Sequence, residues 1–149
     1  MNSEQARYSF RNLRIWESAQ ELAADIIRLL ARLPRSNAVR GVEPQLVASA
    51  GSVGANIAEG HGRYSVPAYR NHLSIARGSL AETESWLDLL KRVDLISAEA
   101  DAEFQRRCAE LAGGITRQMV ALEKRLEQRG RIREESPPYG PDNLYEEEE

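Results

Sequence analysis

The side chains with the most chemical potential gather at the end of one predicted helix. Residues 52–63 read Ser-Val-Gly-Ala-Asn-Ile-Ala-Glu-Gly-His-Gly-Arg. Asn56 and Glu59 stand three apart, on one helical face, and Arg63 lies just beyond them. An amide, a carboxylate and a guanidinium together can do two things. They can form a buried polar network that fixes helix register, or they can line a pocket for a ligand or partner. Arg77 and Glu82 of the next helix complete the cluster, and an arginine from another helix, such as Arg77, is the expected partner of Glu59. A second constellation is basic. Arg63, Arg70 and Arg77 are spaced by seven, and Arg106, Arg117 and Lys124 add charge further on. Together they form a candidate face for a phosphate backbone. The competing reading is a solvated face balanced by Glu84, Asp88, Glu103, Glu110 and Glu123.

No catalytic pattern accompanies these groups. The chain has no Gly-Lys-Ser/Thr phosphate loop, no Gly-x-Ser-x-Gly elbow and no His-Glu-x-x-His. A di-metal bundle needs Glu-x-x-His pairs, but Ala58 precedes His61 by three and Tyr69 precedes His72 by three. No metal and no cofactor are expected, and the chain is read as not an enzyme. The lone cysteine, Cys108, falls on an apolar line and reads as an inert core thiol.

The elements that must position these groups are helices. Asn12 is the expected cap of a first amphipathic helix, which runs through Trp16, Leu22, Ile26 and Leu30 and stops before Pro34. Residues 35–43 read as a connector, with Pro44 in the first turn of a second helix. That helix is rich in small residues, and Gly51 and Gly54 imply close approach of a neighbouring backbone. Ser65 caps a third helix whose seam is Tyr69, Leu73, Ala76, Leu80, Thr83, Leu87 and Leu90, in alternating steps of four and three. Beside it runs a second line, His72, Ile75, Ser79, Glu82, Trp86, Leu89 and Val93. Two stripes on one helix imply a contact outside the bundle, so Trp16, Ile75, Trp86 and Leu89 are candidate subunit-interface residues. The fourth helix starts after Ser97, carries the line Phe104, Cys108, Leu111, Ile115, Met119, Leu122 and Leu126, and is expected to end at Gly130.

The expected fold is all-α, an antiparallel up-down-up-down four-helix bundle over residues 12–130. A mobile segment, residues 1–11, precedes it. A disordered acidic C-terminal tail, residues 131–149, follows. The 149 residues carry a net charge of −3, of which −5 lies from Arg131 onward. The body is therefore near neutral, unlike a strongly basic nucleic-acid binder. No apolar run approaches a membrane span and no signal pattern opens the chain, so a cytoplasmic location is expected.

Phe10-Arg11-Asn12-Leu13-Arg14-Ile15-Trp16, then Ala55-Asn56-Ile57-Ala58-Glu59-Gly60 with Gly62-Arg63, then Ala76-Arg77-Gly78-Ser79-Leu80-Ala81-Glu82 occur in order. These stretches resemble the four-helix bundle proteins encoded in 23S rRNA intervening sequences. The resemblance covers about residues 10–128. It implies a bacterial bundle that assembles into a ring, typically a homopentamer. It also implies distant kinship with the accessory protein of diversity-generating retroelements, which binds nucleic acid and a reverse transcriptase. The chain departs from the family pattern at Val47-Ala48-Ser49, where basic residues are common. The expected role is a non-enzymatic oligomeric module that binds or scaffolds, with RNA, DNA or a nucleic-acid enzyme as partner. The alternatives are a small-molecule-binding or enzymatic bundle at Asn56 and Glu59, and a purely structural oligomer.

Overall fold

The computed structural model describes residues 9–135, with side chains through Arg129; the proposed mobile segment up to residue 8 and the tail from residue 136 lie outside the described residues. A short 3-10 turn, Phe10–Asn12, is capped by the Ser9 hydroxyl, which accepts from the Arg11 amide. Four helices follow: α1 (Arg14–Leu30), α2 (Asn37–His61), α3 (Val66–Arg92) and α4 (Ala98–Glu135). Among the described residues there is no strand.

Contacting pairs set the direction of each neighbour. Ser49, Ser52 and Asn56 of α2 meet Thr83, Ser79 and His72 of α3, one series rising as the other falls. Lys91 meets Asp101, and Arg70 meets Glu123, so α3 and α4 run opposite ways. Asp25 meets Arg107 and Ile15 meets Gly114, so α1 and α4 do too. The core lies between all four helices. Leu22, Ile26, Leu46, Ile57, Leu73, Leu80, Leu87, Leu90 and Ile115 are almost wholly buried.

The third helix buries Tyr69, Leu73, Ala76, Leu80, Thr83, Leu87 and Leu90, the whole seam and nothing else. Ser65 caps it through the Ala68 amide, with Pro67 in its first turn. The second helix begins seven residues earlier than its proline suggested. Ser36 accepts from the Val39 amide at 3.2 Å, and Val39 and Leu46 are buried on the stripe that this start creates. Pro44 therefore sits inside α2. It is exposed, and the carbonyl its missing N–H leaves free, that of exposed Arg40, can turn to water. The first helix is likewise not capped by Asn12, which belongs to the 3-10 turn. Leu13 holds the cap position without a side-chain bond, and Phe10 packs edge-on against Trp16 at 5.0 Å. Gly130 does not end α4. A single glycine costs about 1 kcal/mol in a helix and does not stop one, so residues 131–135 belong to the helix rather than to the tail.

The glycines mark where helices touch. A Cβ on Gly54 would lie 2.8 Å from the Gln20 amide oxygen of α1, and one on Gly114 would lie 2.9 Å from Ile15. Gly51 meets nothing, and the atoms nearest Gly54 are side-chain atoms of Gln20 and Ala19, so α1 comes close at Gly54 through side chains rather than through the expected backbone. Two polar straps tie α4 to its neighbours. Arg107 donates to Asp25 at 2.8 Å and, with Arg28, holds the Asp25 carboxyl below the usual carboxylate range. That contribution is present above the unfolded carboxylate pKa and fades as pH falls through the lower folded value. Asp101, 4% exposed, accepts from Lys91 at 2.8 Å and from Gln105 at 3.1 Å. Gln105 also donates to the Glu84 carbonyl. Asp101→Ala removes the acceptor of both donors at the α3–α4 corner, and we expect a loss of about 2 kcal/mol by urea denaturation.

Candidate functional site: a polar seam and an exposed stripe on one helix

The small residues of α2 carry a ladder of side-chain bonds to α3. Thr83 donates to the Ser49 hydroxyl at 3.0 Å, in a site where Thr83 is fully buried. Ser49 itself donates to the Leu46 carbonyl. Ser79 donates to the Ser52 hydroxyl at 3.0 Å. One turn on, Asn56 spends both amide hydrogens on Ser52, one on its carbonyl and one on its hydroxyl. Its Oδ1 faces His72 Nδ1 at 3.1 Å. With no hydrogen left on the amide for this contact, His72 must be the donor, which fixes its Nδ1–H tautomer. His72 Nε2 then lies 3.8 Å from Glu59.

The cluster proposed from sequence is thus divided. Asn56, Glu59 and Arg63 stay together, with His72 of α3 as the fourth member. Glu59 pairs with Arg63 one turn along its own chain, not with Arg77, because a four-residue helical step brings the two side chains together without help from another helix. Arg77 is exposed, and among the described residues no carboxylate pairs with it. Glu82 accepts from the Trp86 indole at 3.2 Å. Asn56 has both hydrogens engaged in the α2–α3 seam, which makes it a register-fixing group rather than a receptor for a small molecule.

Half of the candidate basic face is neutralised. Arg63 is paired with Glu59, Arg70 with Glu123 at 3.4 Å, and Arg106 with both Glu103 and Glu110. Arg77, Arg117 and Lys124 are its members without a carboxylate partner among the described residues. Among those residues, no group of three or more His, Cys, Asp or Glu side chains could hold a metal ion. No helix of the described residues is long and apolar enough to cross a membrane. Cys108 is wholly buried, and burial pushes its thiol up to about 12. The native chain should therefore leave Cys108 unlabelled by a thiol reagent at neutral pH and react only once unfolded, with labelling followed by intact mass.

The proposed interface residues fare differently from one another. Trp16 is half-buried under Phe10. Ile75, Leu89 and Val93 are 45%, 39% and 54% exposed, and half-buried Trp86 lies between them on the outer face of α3. Trp86 and Leu89, with Glu82, Ser85, Asp88 and Arg92, line a shallow groove of about 370 Å³. The seven-residue spacing explains the two faces of this helix. One heptad line fills the bundle, and the next line round the helix gives two of its polar members, His72 and Ser79, to α2 while Glu82 and the apolar members face outward.

Comparison with known proteins bears on this arrangement. A family model described as the 23S rRNA-intervening sequence protein matches residues 11–117. A crystal structure of a protein with unknown function from the S23 ribosomal protein family, from Bacteroides thetaiotaomicron VPI-5482, aligns with a TM-score of 0.64 at 26% identity. That alignment covers 70% of this chain and 97% of the other. Among curated proteins, none matches.

Proposed function

The chain belongs to the 23S rRNA-intervening sequence protein family, and from that premise we propose that it is a non-enzymatic binding or scaffold module that works as an assembly of several copies. The observation that carries this reading is the outer stripe of α3. Ile75, Trp86, Leu89 and Val93 keep apolar surface in water along three turns and more of one helix, at the spacing by which one helix packs on another. A second copy covers this stripe. The likeness to ring-forming bundles makes a homopentamer the expected assembly, in the cytoplasm.

Binding of RNA, DNA or a nucleic-acid enzyme such as a reverse transcriptase is the finer part of the proposal. Arg77, Arg117 and Lys124 support it, since they remain available to phosphates while Arg63, Arg70 and Arg106 already hold carboxylates. A ring would multiply this modest charge by its copy number. The test is the absorbance ratio at 260 and 280 nm across the chromatographic peak of the full chain at low salt. Bound nucleic acid that is released by salt supports the finer reading. A nucleic-acid-free peak that also fails to retain added RNA or DNA overturns it and leaves the scaffold.

A further inference from the structure

An open groove of about 610 Å³ runs along α1 and α4, the two helices joined by the packing of Ile15 on Gly114 and by the Asp25–Arg107 strap. Ile15 and buried Leu111 give it an apolar floor. At one end Arg14 and Arg117 line it from opposite helices, on turns that the Ile15–Gly114 contact makes neighbours. Neither guanidinium has a carboxylate within ion-pair distance among the described residues. The acids of the groove lie elsewhere. Glu103 and Glu110 hold Arg106. Glu21 is two turns along α1 from Arg14, and Glu110 two turns along α4 from Arg117, each about 10 Å by helical rise. Glu17 is nearer to Arg14 but neither pairs with it nor lines the groove.

Gly113 gives this end its shape. Glycine is a poor residue inside a helix, and no atom of another helix lies within 4 Å of where its Cβ would be. What a Cβ there would meet is Arg117 Nη1, at 3.3 Å, while Arg117 Nη2 lies 3.8 Å from the Cβ position of Gly114. The Arg117 guanidinium thus lies back over the two glycines, which brings its charge to the level of Ile15 and of Arg14 beside it.

We propose that this end of the α1–α4 groove binds the dianion of a small phosphate monoester, with its phosphate between Arg14 and Arg117 and its organic body over Ile15 and Leu111. A guanidinium presents parallel N–H donors that match phosphate oxygens, and two guanidiniums balance a dianion. The acids farther along select against a long polyanion laid in the groove. A strand of a nucleic-acid duplex carries one charge per about 3.4 Å of axis, so its next phosphates would stand against Glu21 and Glu110. The site rests on neither the assembly face of α3 nor the reading of a nucleic-acid partner.

Phenyl phosphate is the probe, titrated into the full chain by isothermal calorimetry at low salt and mildly alkaline pH, where the monoester is doubly charged. One phenyl phosphate should bind per chain, and Arg14→Gln and Arg117→Gln should each weaken it about tenfold. Gly113→Leu removes no charge and improves helix propensity, but its side chain takes the space of the Arg117 guanidinium. Affinity should therefore fall by a similar factor while stability to urea does not fall. Arg32→Gln removes an exposed cation just beyond the far end of α1 and should change affinity less than about twofold. No binding up to about 10 mM would overturn the proposal. So would binding that survives Gly113→Leu, or that Arg32→Gln weakens as much as Arg117→Gln does, since either means diffuse attraction to charge. Inorganic phosphate should bind more weakly for want of a ring on Ile15 and Leu111, and equal affinity would overturn the monoester in favour of the free ion.

Discussion

Valine at position 60 is expected to destabilise the fold by about 3 kcal/mol, while alanine at position 51 stabilises it by about 0.5–1 kcal/mol, both read from urea denaturation. The two glycines lie on the same helix and differ in what surrounds them. A Cβ at Gly60 would stand 2.7 Å from the His72 Cβ, 2.8 Å from the Tyr69 ring and 3.2 Å from the Tyr69 carbonyl. The His72 Cβ and the Tyr69 carbonyl belong to or adjoin the backbone, so α2 and α3 must move apart to admit the substitution. His72 cannot swing away without giving up Asn56, because its Nδ1 is committed there. At Gly51 nothing lies within 4 Å, and alanine simply replaces the poorest helix former short of proline. If both substitutions proved neutral, the close α2–α3 approach at Gly60 would be wrong.

Leu80→Ala is expected to cost about 3–4 kcal/mol, as large a loss as any single truncation in this core. Leu80 is 1% exposed and lies midway along the α3 seam, between Ala76 and Thr83. Its neighbours on the seam are small, so they cannot expand into the space it leaves. The residual cavity, added to the lost transfer free energy, sets the size of the effect. Urea denaturation of the variant checks it. A loss below about 1 kcal/mol would mean that the helices collapse onto the gap, and that the seam is less rigid than its buried polar ladder implies.

Much of this was legible in the chain because helical spacing carries it. The α3 seam reads residue for residue, since alternate steps of three and four identify one face of a helix without knowledge of its partners. Helix starts were less legible where two caps competed. Pro44 suits a first turn, but Ser36 with Val39 and Leu46 offers both a cap bond and buried apolar contacts, and the longer helix forms. Glycine roles were not legible at all from the sequence alone. Gly51 and Gly54 are three apart, and only the position of Gln20 on α1 separates a close contact from open water.

The candidate site divides in the same way. Its local half was readable, because Ser52 with Asn56, Glu59 with Arg63 and Ser79 with Thr83 are all pairs at one helical turn. The half that crosses helices was not. Choosing His72 over Arg77 for the Asn56–Glu59 cluster needs the relative register of α2 and α3, which no single helix encodes. Asp101 is a similar case. As an acid in the first turn of α4 it reads as a solvated dipole partner, whereas the antiparallel return of α4 buries it against Lys91. Buried polar groups of this kind depend on long-range geometry, and their partners carry no periodic signal.

The outer stripe of α3 as an assembly face is the claim on which the functional reading rests. Light scattering on the full chain and on the Trp86→Arg/Leu89→Glu variant, at matched concentration, tests it most directly. The account predicts a defined multiple of the 16.7 kDa chain mass for the native protein and a folded single chain for the variant, with helical circular dichroism preserved. A native protein at 16.7 kDa, or a variant that keeps the native multiple, would contradict it.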